Sequence, residues 1–366
     1  MRTQAAVLSE LGGTFTLEDI DVDDPRPGEV LVHIEAVGVC HTDLAARDGI
    51  LPLAFPAVVG HEGAGTVLAV GNGVSKVAAG DRVAVTFSSC GTCTLCASGH
   101  PAHCLDFAAL NYGGVRADGS TPLSKDSQPV GGLFFGQSSF ARAALTSENN
   151  VVRVDAGIPF EHLAPLGCGV QTGVGAVTRV LRARDGSSIA VTGGGSVGLS
   201  AVMGAVLAGC STIIVVEPSE RRRQLAKELG ATDVIDPADG DVTEQIRGII
   251  ASGVDYGVDT TAVPAVIEGL IAASATRGTV ALVGVPADPT ACVSLNMMTA
   301  LGLGVTVTTV IEGDSLPGEF IPELVELVTQ GRLPVDKLVT TFPLDDVNEA
   351  VRAQLAGEVV KPVLLT

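Results

Sequence analysis

The stretch from Cys90 to Cys104 reads CGTCTLCASGHPAHC and holds four of the eight cysteines in the chain. Their C-x2-C-x2-C-x7-C spacing lets one loop wrap a tetrahedral zinc ion with Cys90, Cys93, Cys96 and Cys104 as ligands, while disulfides are the alternative. The N-terminus shows no apolar run behind a basic start, so we expect a cytoplasmic protein with reduced thiols. Four thiolates leave no open coordination position, which predicts a structural zinc site.

A second set of metal-binding residue types is scattered along the chain. Cys40 lies in GVCHTDL, His61 and Glu62 lie in GHEGAG, and Cys168 lies in LGCGVQTG. Two cysteines and a histidine around zinc leave one position for solvent or substrate, and such an ion is a Lewis acid for alcohol or water. Read one at a time, a buried cysteine or histidine is also ordinary core.

Gly193, Gly195 and Gly198 form a G-x-G-x-x-G motif between an apparent strand and an apparent helix. Glu217 ends the next strand about twenty residues later, where an acid binds a ribose 2′-hydroxyl. The glycines allow close approach of a pyrophosphate to the helix N-terminus. This pattern predicts a dinucleotide site that favours NAD, because Glu217 would repel the 2′-phosphate of NADP. The basic run 221–223 keeps NADP as the alternative.

Composition and charge limit the class of protein. The 366 residues, 46% of them hydrophobic and 17% charged, fit two domains with sizeable cores. A net charge of -19 argues against a nucleic-acid partner. The run 186–216 has no charged residue, yet its central TGGGSVG favours a strand, turn, helix and strand over a membrane span.

The patterning changes twice along the chain. Residues 1–164 are rich in glycine, proline and short β-type runs. Residues 165–309 alternate strands with helical stretches. Residues 310–366 end in VVKPVLLT, which is predicted to be a strand. Alternation predicts a parallel sheet covered by helices on both faces. We therefore expect an α/β protein with a strand-rich domain from 1–164 and 310–366 and a doubly wound cofactor domain from 165–309.

Taken together, GVCHTD, GHEGAG, the four-cysteine loop, LGCGVQTG and TGGGSVG resemble the zinc-dependent alcohol dehydrogenases of the medium-chain dehydrogenase/reductase family over essentially the full chain. SSCGTC, SGHPAHC, NYGG and FFGQSSFA are similar to its aryl-alcohol (benzyl-alcohol) branch. The resemblance implies a GroES-like catalytic domain, a Rossmann NAD-binding domain and a homo-oligomer, either dimer or tetramer. It also implies two zinc ions per chain, the four-cysteine site being structural.

By this resemblance Cys40, His61 and Cys168 bind the catalytic zinc, and Glu62 is an alternative ligand. Thr42 matches the hydroxyl that accepts the alcohol proton, although it could also be a helix N-cap. Asp43 would orient His61.

The resemblance also assigns cofactor contacts. His41 and Lys361 match pyrophosphate-binding positions, with an exposed polar side chain as the alternative for each. Thr172 would help to seat the nicotinamide, and Arg222 would assist Glu217 at the ribose.

The outer proton path and the substrate pocket are less defined. Ala45 stands where many relatives carry a proton-relaying histidine, so the path must run through cofactor ribose, water or another residue such as Arg47. Phe87 and Leu110 are candidates for pocket walls or ordinary core.

The predicted activity is reversible oxidation of a primary aryl or allylic alcohol to the aldehyde, with hydride transfer to NAD. One alternative is the same chemistry on a specialised substrate, namely a terpene alcohol, a thiol adduct of formaldehyde or a biosynthetic intermediate, for which the loop 113–132 could select. The other is a family member that binds nucleotide without turnover. The substrate aside, no membrane or nucleic-acid partner is expected.

Overall fold

The computed structural model describes residues 1–155 and 157–366. The strands are β1 (Arg2–Leu8), β2 (Thr16–Val22), β3 (Glu29–Gly38), β4 (Ala57–Val58), β5 (Gly63–Val70), β6 (Arg82–Val85), β7 (Leu123–Lys125), β8 (Gln128–Val130), β9 (Ala143–Ser147), β10 (Val151–Arg153), β11 (Ser188–Thr192), β12 (Thr212–Val216), β13 (Asp233–Ile235), β14 (Val254–Asp259), β15 (Ser274–Leu282), β16 (Thr306–Thr309), β17 (Val339–Pro343) and β18 (Lys361–Leu365).

The helices are α1 (His41–Arg47), α2 (Thr94–Ala97), α3 (Phe107–Tyr112), α4 (Phe160–Leu163), α5 (Gly169–Gly175), α6 (Ser196–Leu207), α7 (Glu220–Glu228), α8 (Val242–Ile249), α9 (Pro264–Ala272), α10 (Met297–Leu303), α11 (Pro317–Thr329) and α12 (Val347–Leu355). The chain divides into two compact units, one of Met1–Cys168 with Ser315–Thr366 and one of Gly169–Asp314. Each division lies a few residues after the boundary expected from the sequence.

The first unit is built from two sheets around one apolar core. Strands β4-β1-β2-β7-β8 form one sheet, and β10-β6-β5-β3-β18-β17, with β9 also on β3, form the other. Alternating apolar residues of β3 face the core, where Val30, Val32 and Ile34 are fully buried. The last strand, β18, pairs antiparallel with β3, so the C-terminal segment completes this sheet as the sequence predicted.

The second unit contains the predicted parallel sheet. Its strand order is β13-β12-β11-β14-β15-β16, and all of the neighbouring pairs are parallel. This is the doubly wound order in which the strand sequence reverses beside β11. The uncharged run 186–216 becomes β11, α6 and β12, which confirms the strand, helix and strand prediction. Within the described residues, we find no helix that is long and apolar enough to cross a membrane.

Candidate metal centres and nucleotide site

Two groups of metal-binding side chains come together in the first unit. In each group the candidate donor atoms lie within 4.8 Å of one another. One group is Cys40, His61, Glu62 and Cys168, and the other is Cys90, Cys93, Cys96 and Cys104. The structure therefore brings together the cysteines whose spacing predicted a shared site and the scattered residues that only the resemblance grouped.

Helix α1 and the loop before β5 are joined by the carboxylate of Asp43. Its Oδ2 accepts a hydrogen bond from the Cys40 N–H at 2.9 Å, and its Oδ1 accepts from the Gly60 N–H at 3.1 Å. Oδ1 also lies 2.7 Å from His61 Nδ1. Because a carboxylate only accepts, Nδ1 must carry the proton. Asp43 thus orients His61 through Nδ1, which leaves Nε2 as the ring nitrogen that can bind a metal.

The other ring nitrogen of His61 fits a role as a metal donor. Nε2 is buried, and it has no hydrogen-bond partner among the described residues. Phe135 stacks on the imidazole with ring centroids 4.5 Å apart. Phe134 contacts it edge-on with ring centroids 5.8 Å apart. An unpaired buried nitrogen is costly unless something binds it. A nitrogen with two thiol donors suits a divalent cation such as zinc.

The pKa values of Cys40 and His61 are both shifted by their buried neighbours. A hydrogen bond from Cys168 lowers the pKa of the Cys40 thiol well below its ordinary value, and the charge of Lys361 helps against the opposing effect of burial. Burial disfavours the imidazolium of His61, but the charges of Asp43 and Cys40 outweigh it and raise its pKa. A lowered thiol pKa favours the thiolate, which is the form of cysteine that binds a metal cation.

Glu62 is held by Lys361 in a buried ion pair. Lys361 Nζ lies 2.8 Å from both carboxylate oxygens of Glu62 and donates to the Val39 carbonyl oxygen at 3.2 Å. Burial disfavours the ammonium, but the charges of Glu62 and Cys40 raise the pKa of Lys361 above its ordinary value. Lys361 is therefore not the exposed polar side chain considered as an alternative. Its pyrophosphate contact stays a prediction.

The four-cysteine loop is organised by its own backbone. The Cys93 N–H donates to Cys90 Sγ and the Cys90 N–H donates to Cys104 Sγ, each at 3.3 Å. Backbone N–H groups of Thr92 and Cys93 lower the pKa of Cys90 to about 6. The four cysteines are free thiols. Cys90 Sγ and Cys96 Sγ lie 3.9 Å apart, which is too far for a disulfide bond. Closely packed thiolates repel one another, so a cation is what allows all of them to ionise.

The second unit presents the glycine motif between β11 and α6. Gly193 has a φ of +95°, which disfavours other residues, and a Cβ on Gly198 would clash with the Gly193 carbonyl oxygen. Glu217, at the end of β12, accepts hydrogen bonds from the Gly194 N–H at 2.6 Å and the Ser219 N–H at 2.8 Å. A Cβ on Gly195 would meet no neighbouring atom, so backbone approach from solvent is open there. The turn thus leaves its backbone open to a ligand at Gly195, and the pyrophosphate contact stays a prediction.

The remaining predicted residues are placed as follows. Thr42 Oγ1 lies 3.8 Å from Cys40 Sγ, but α1 begins at His41 with Cys40 as its N-cap, so the N-cap alternative for Thr42 is wrong. His41 is exposed at the start of α1, and Thr172 is buried in α5. Arg222 lies in the first turn of α7 with a buried Nε. Their cofactor contacts stay predictions.

Sequence reasoning missed Gln137 and Thr86, which lie behind the first donor group. Gln137 is fully buried and donates to the carbonyl oxygen of His61 at 2.9 Å. Thr86 Oγ1 donates to the Gly167 carbonyl oxygen at 2.7 Å. The segment FFGQSSFA contains Gln137, and in the sequence it indicates only the similarity to the aryl-alcohol branch.

Of the two pocket candidates, Phe87 is buried core, and Leu110 lines a cavity of about 460 Å³.

Comparison with known proteins identifies the class. Residues 26–156 match the family model described as alcohol dehydrogenase GroES-like domain, and residues 196–330 match the one described as zinc-binding dehydrogenase. A geraniol dehydrogenase of Castellaniella defragrans is 45% identical over 99% of this chain and 97% of that protein. The chain therefore belongs to the zinc-dependent alcohol dehydrogenases of the medium-chain dehydrogenase/reductase family.

Solved structures agree with this assignment. An alcohol dehydrogenase zinc-binding domain protein from Burkholderia ambifaria has a TM-score of 0.98 and 46% identity over 100% of this chain and 99% of its own. The benzyl alcohol dehydrogenase from Acinetobacter calcoaceticus has a TM-score of 0.96 and 39% identity over the same shares. The expected fold, a GroES-like unit with a Rossmann unit, is confirmed.

Replacing Asp43 with asparagine should weaken metal binding at the Cys40 group by about 10-fold to 100-fold, because an amide cannot hold His61 in the required tautomer as a carboxylate does. Competition with a chromogenic chelator would measure this affinity. Asp48→Asn is the matched control, since Asp48 pairs with Arg47 at the surface. Equal metal affinity in Asp43→Asn and the parent protein would remove Asp43 from this role.

Replacing Cys93 with alanine should remove one metal ion per chain and lower the thermal midpoint by roughly 4–8 °C, corresponding to about 2 kcal/mol. Elemental analysis and a thermal melt would measure both effects. Cys292→Ala is the control, because Cys292 is exposed and outside both groups. A Cys93→Ala protein that lost a metal ion without any loss of stability would contradict a structural role.

Proposed function

We propose that this protein is an NAD-dependent zinc alcohol dehydrogenase that interconverts a primary aryl or allylic alcohol and its aldehyde. The observation that carries the proposal is the buried group of Cys40, His61 and Cys168, in which His61 Nε2 has no hydrogen-bond partner among the described residues. The four-cysteine loop would hold a second, structural zinc ion. A homo-oligomer is part of the proposal, and the exposed apolar side chains Met297, Met298 and Leu301 of α10 support it.

The chemistry divides between the bound groups and the chain. Zinc would act as a Lewis acid toward the alcohol oxygen, and NAD would accept the hydride. Thr42, in the first turn of α1 with its hydroxyl oxygen 3.8 Å from Cys40 Sγ, would accept the alcohol proton. Ala45 is buried and cannot pass a proton onward, so the path to solvent must leave Thr42 by another route.

The substrate class rests on the relatives. A geraniol dehydrogenase and a benzyl alcohol dehydrogenase are similar to nearly the whole chain. Geraniol and benzyl alcohol are both primary alcohols whose reacting carbon is bonded to an sp² carbon. Their oxidation gives a conjugated aldehyde. This shared chemistry supports an aryl or allylic alcohol, and a specialised substrate selected by the loop 113–132 is the second candidate.

With NAD, the zinc-loaded protein should oxidise geraniol or benzyl alcohol with a kcat/KM roughly 100-fold or more above that for ethanol, because a large apolar group adds binding energy. Formation of the reduced cofactor measures this. Cys168→Ala should abolish turnover while NADH binding persists. Turnover that survives in Cys168→Ala would contradict the zinc mechanism. A two-zinc protein inactive on all three alcohols would contradict the substrate class alone.

Glu217→Ala should narrow the preference for NAD over NADP by about 10-fold or more, because removal of the carboxylate removes its repulsion of the 2′-phosphate. The ratio of kcat/KM values for the two cofactors measures this. Glu228→Ala, an exposed change of the same charge in α7, is the control. An unchanged cofactor ratio in Glu217→Ala would take Glu217 out of the ribose site.

A further inference from the structure

The buried amide of Gln137 is bonded at every one of its hydrogen-bonding positions. Its Nε2 donates to the carbonyl oxygens of His61 at 2.9 Å and Thr86 at 3.1 Å. Its Oε1 accepts from the Gly63 N–H at 3.0 Å and from Ser139 Oγ at 2.6 Å. An amide with two donors and two acceptor lone pairs all in use has a single orientation. Gln137 therefore fixes the backbone of His61 relative to Thr86.

Thr86 continues this connection to the segment that carries Cys168. Its N–H donates to the Asn150 carbonyl oxygen at 2.9 Å, so its backbone is held from a second side. Its Oγ1 donates to the Gly167 carbonyl oxygen at 2.7 Å. Gly167 precedes Cys168 directly, and a Cβ on Gly167 would clash with the Val85 carbonyl oxygen. The strand end and the cysteine segment are thus in direct backbone contact.

Asn150 connects this hydrogen-bond network to Phe135, whose ring packs on His61. Asn150 Nδ2 donates to the carbonyl oxygens of Thr86 and Phe135, each at 3.1 Å. Phe135 has a left-handed φ of +50°, a strained conformation for an aromatic residue. Its ring stacks on the His61 imidazole. The network therefore holds the imidazole through its backbone and through the ring above it.

We propose that Gln137 and Thr86 are positioning residues that set the separation between His61 Nε2 and Cys168 Sγ, and thereby the affinity and geometry of the catalytic metal site. His61 and Cys168 are far apart in sequence, and Gln137 and Thr86 connect them through main-chain atoms. Asp43 acts on the imidazole through Nδ1, whereas Gln137 acts on the main chain of His61. The inference rests on the proposed function, in which these residues bind zinc.

Thr86→Val removes the hydroxyl that binds the Gly167 carbonyl, and Thr86→Ser keeps it. In the zinc-loaded protein, transfer of metal to an excess of chromogenic chelator should show one ion leaving about 10-fold faster from Thr86→Val. The ion in the four-cysteine loop should leave at the parent rate and serve as an internal reference. Thr86→Ser should behave as the parent protein. In cobalt-substituted protein, the thiolate absorption should shift in Thr86→Val but not in Thr86→Ser.

Gln137→Met, which keeps the side-chain length but loses all four hydrogen bonds, provides a second variant with the same expected result. Leu145→Ala is the control for general destabilisation, because Leu145 is a buried core residue of β9. Parent-like metal release from both Thr86→Val and Gln137→Met would overturn the inference, as would equal acceleration in Leu145→Ala. If the parent protein itself bound only one zinc ion, the proposed function would also be overturned. If the parent protein bound two zinc ions and both variants released them at the parent rate, only the present inference would fail.

Discussion

The burial of like charges around Cys40 is the constraint on which the rest of the first unit depends. The buried group has two carboxylates and two thiols but one ammonium. The acidic groups are Asp43, Glu62, Cys40 and Cys168, and the ammonium is that of Lys361. Burying unpaired charge costs several kcal/mol per ion, so the ionised acids here need positive charge beyond that of Lys361, from a protonated His61 or from a bound cation. The fold brings these groups together from α1, the loop before β5, the segment before α5 and the last strand, and a divalent ion bound there would compensate them.

Residues whose chemistry depends on local spacing could be predicted from the sequence. The cysteines of the four-cysteine loop lie on one continuous segment, so their spacing alone restricts where their sulfur atoms can go. The same holds for the glycine motif, where the turn between β11 and α6 follows from residues that are close in the chain. The parallel sheet was predictable because strands and helices alternate in that region.

Residues whose role depends on distant pairing could not be predicted in this way. Lys361 and Glu62 are 299 positions apart, and only the register of β18 against β3 brings them into contact. Gln137 shows the same limitation, since its partners come from three places in the sequence, at residues 61–63, 86 and 139. The N-cap interpretation of Thr42 was wrong because Cys40 already occupies that position. Where a side chain could take either of two local roles, only its neighbours in space show which role it has.

The position of β18 also determines the order in which the molecule can be made. β18 lies between β3 and β17 in its sheet, and it carries Lys361 to the buried group. During synthesis the whole Gly169–Asp314 unit leaves the ribosome before this strand exists. The four-cysteine loop, made of consecutive residues, has all of its ligands as soon as Cys104 has emerged. The four-cysteine group can thus assemble early on a growing chain, whereas the Cys40 group gains the positive charge of Lys361 only after β18 has been made.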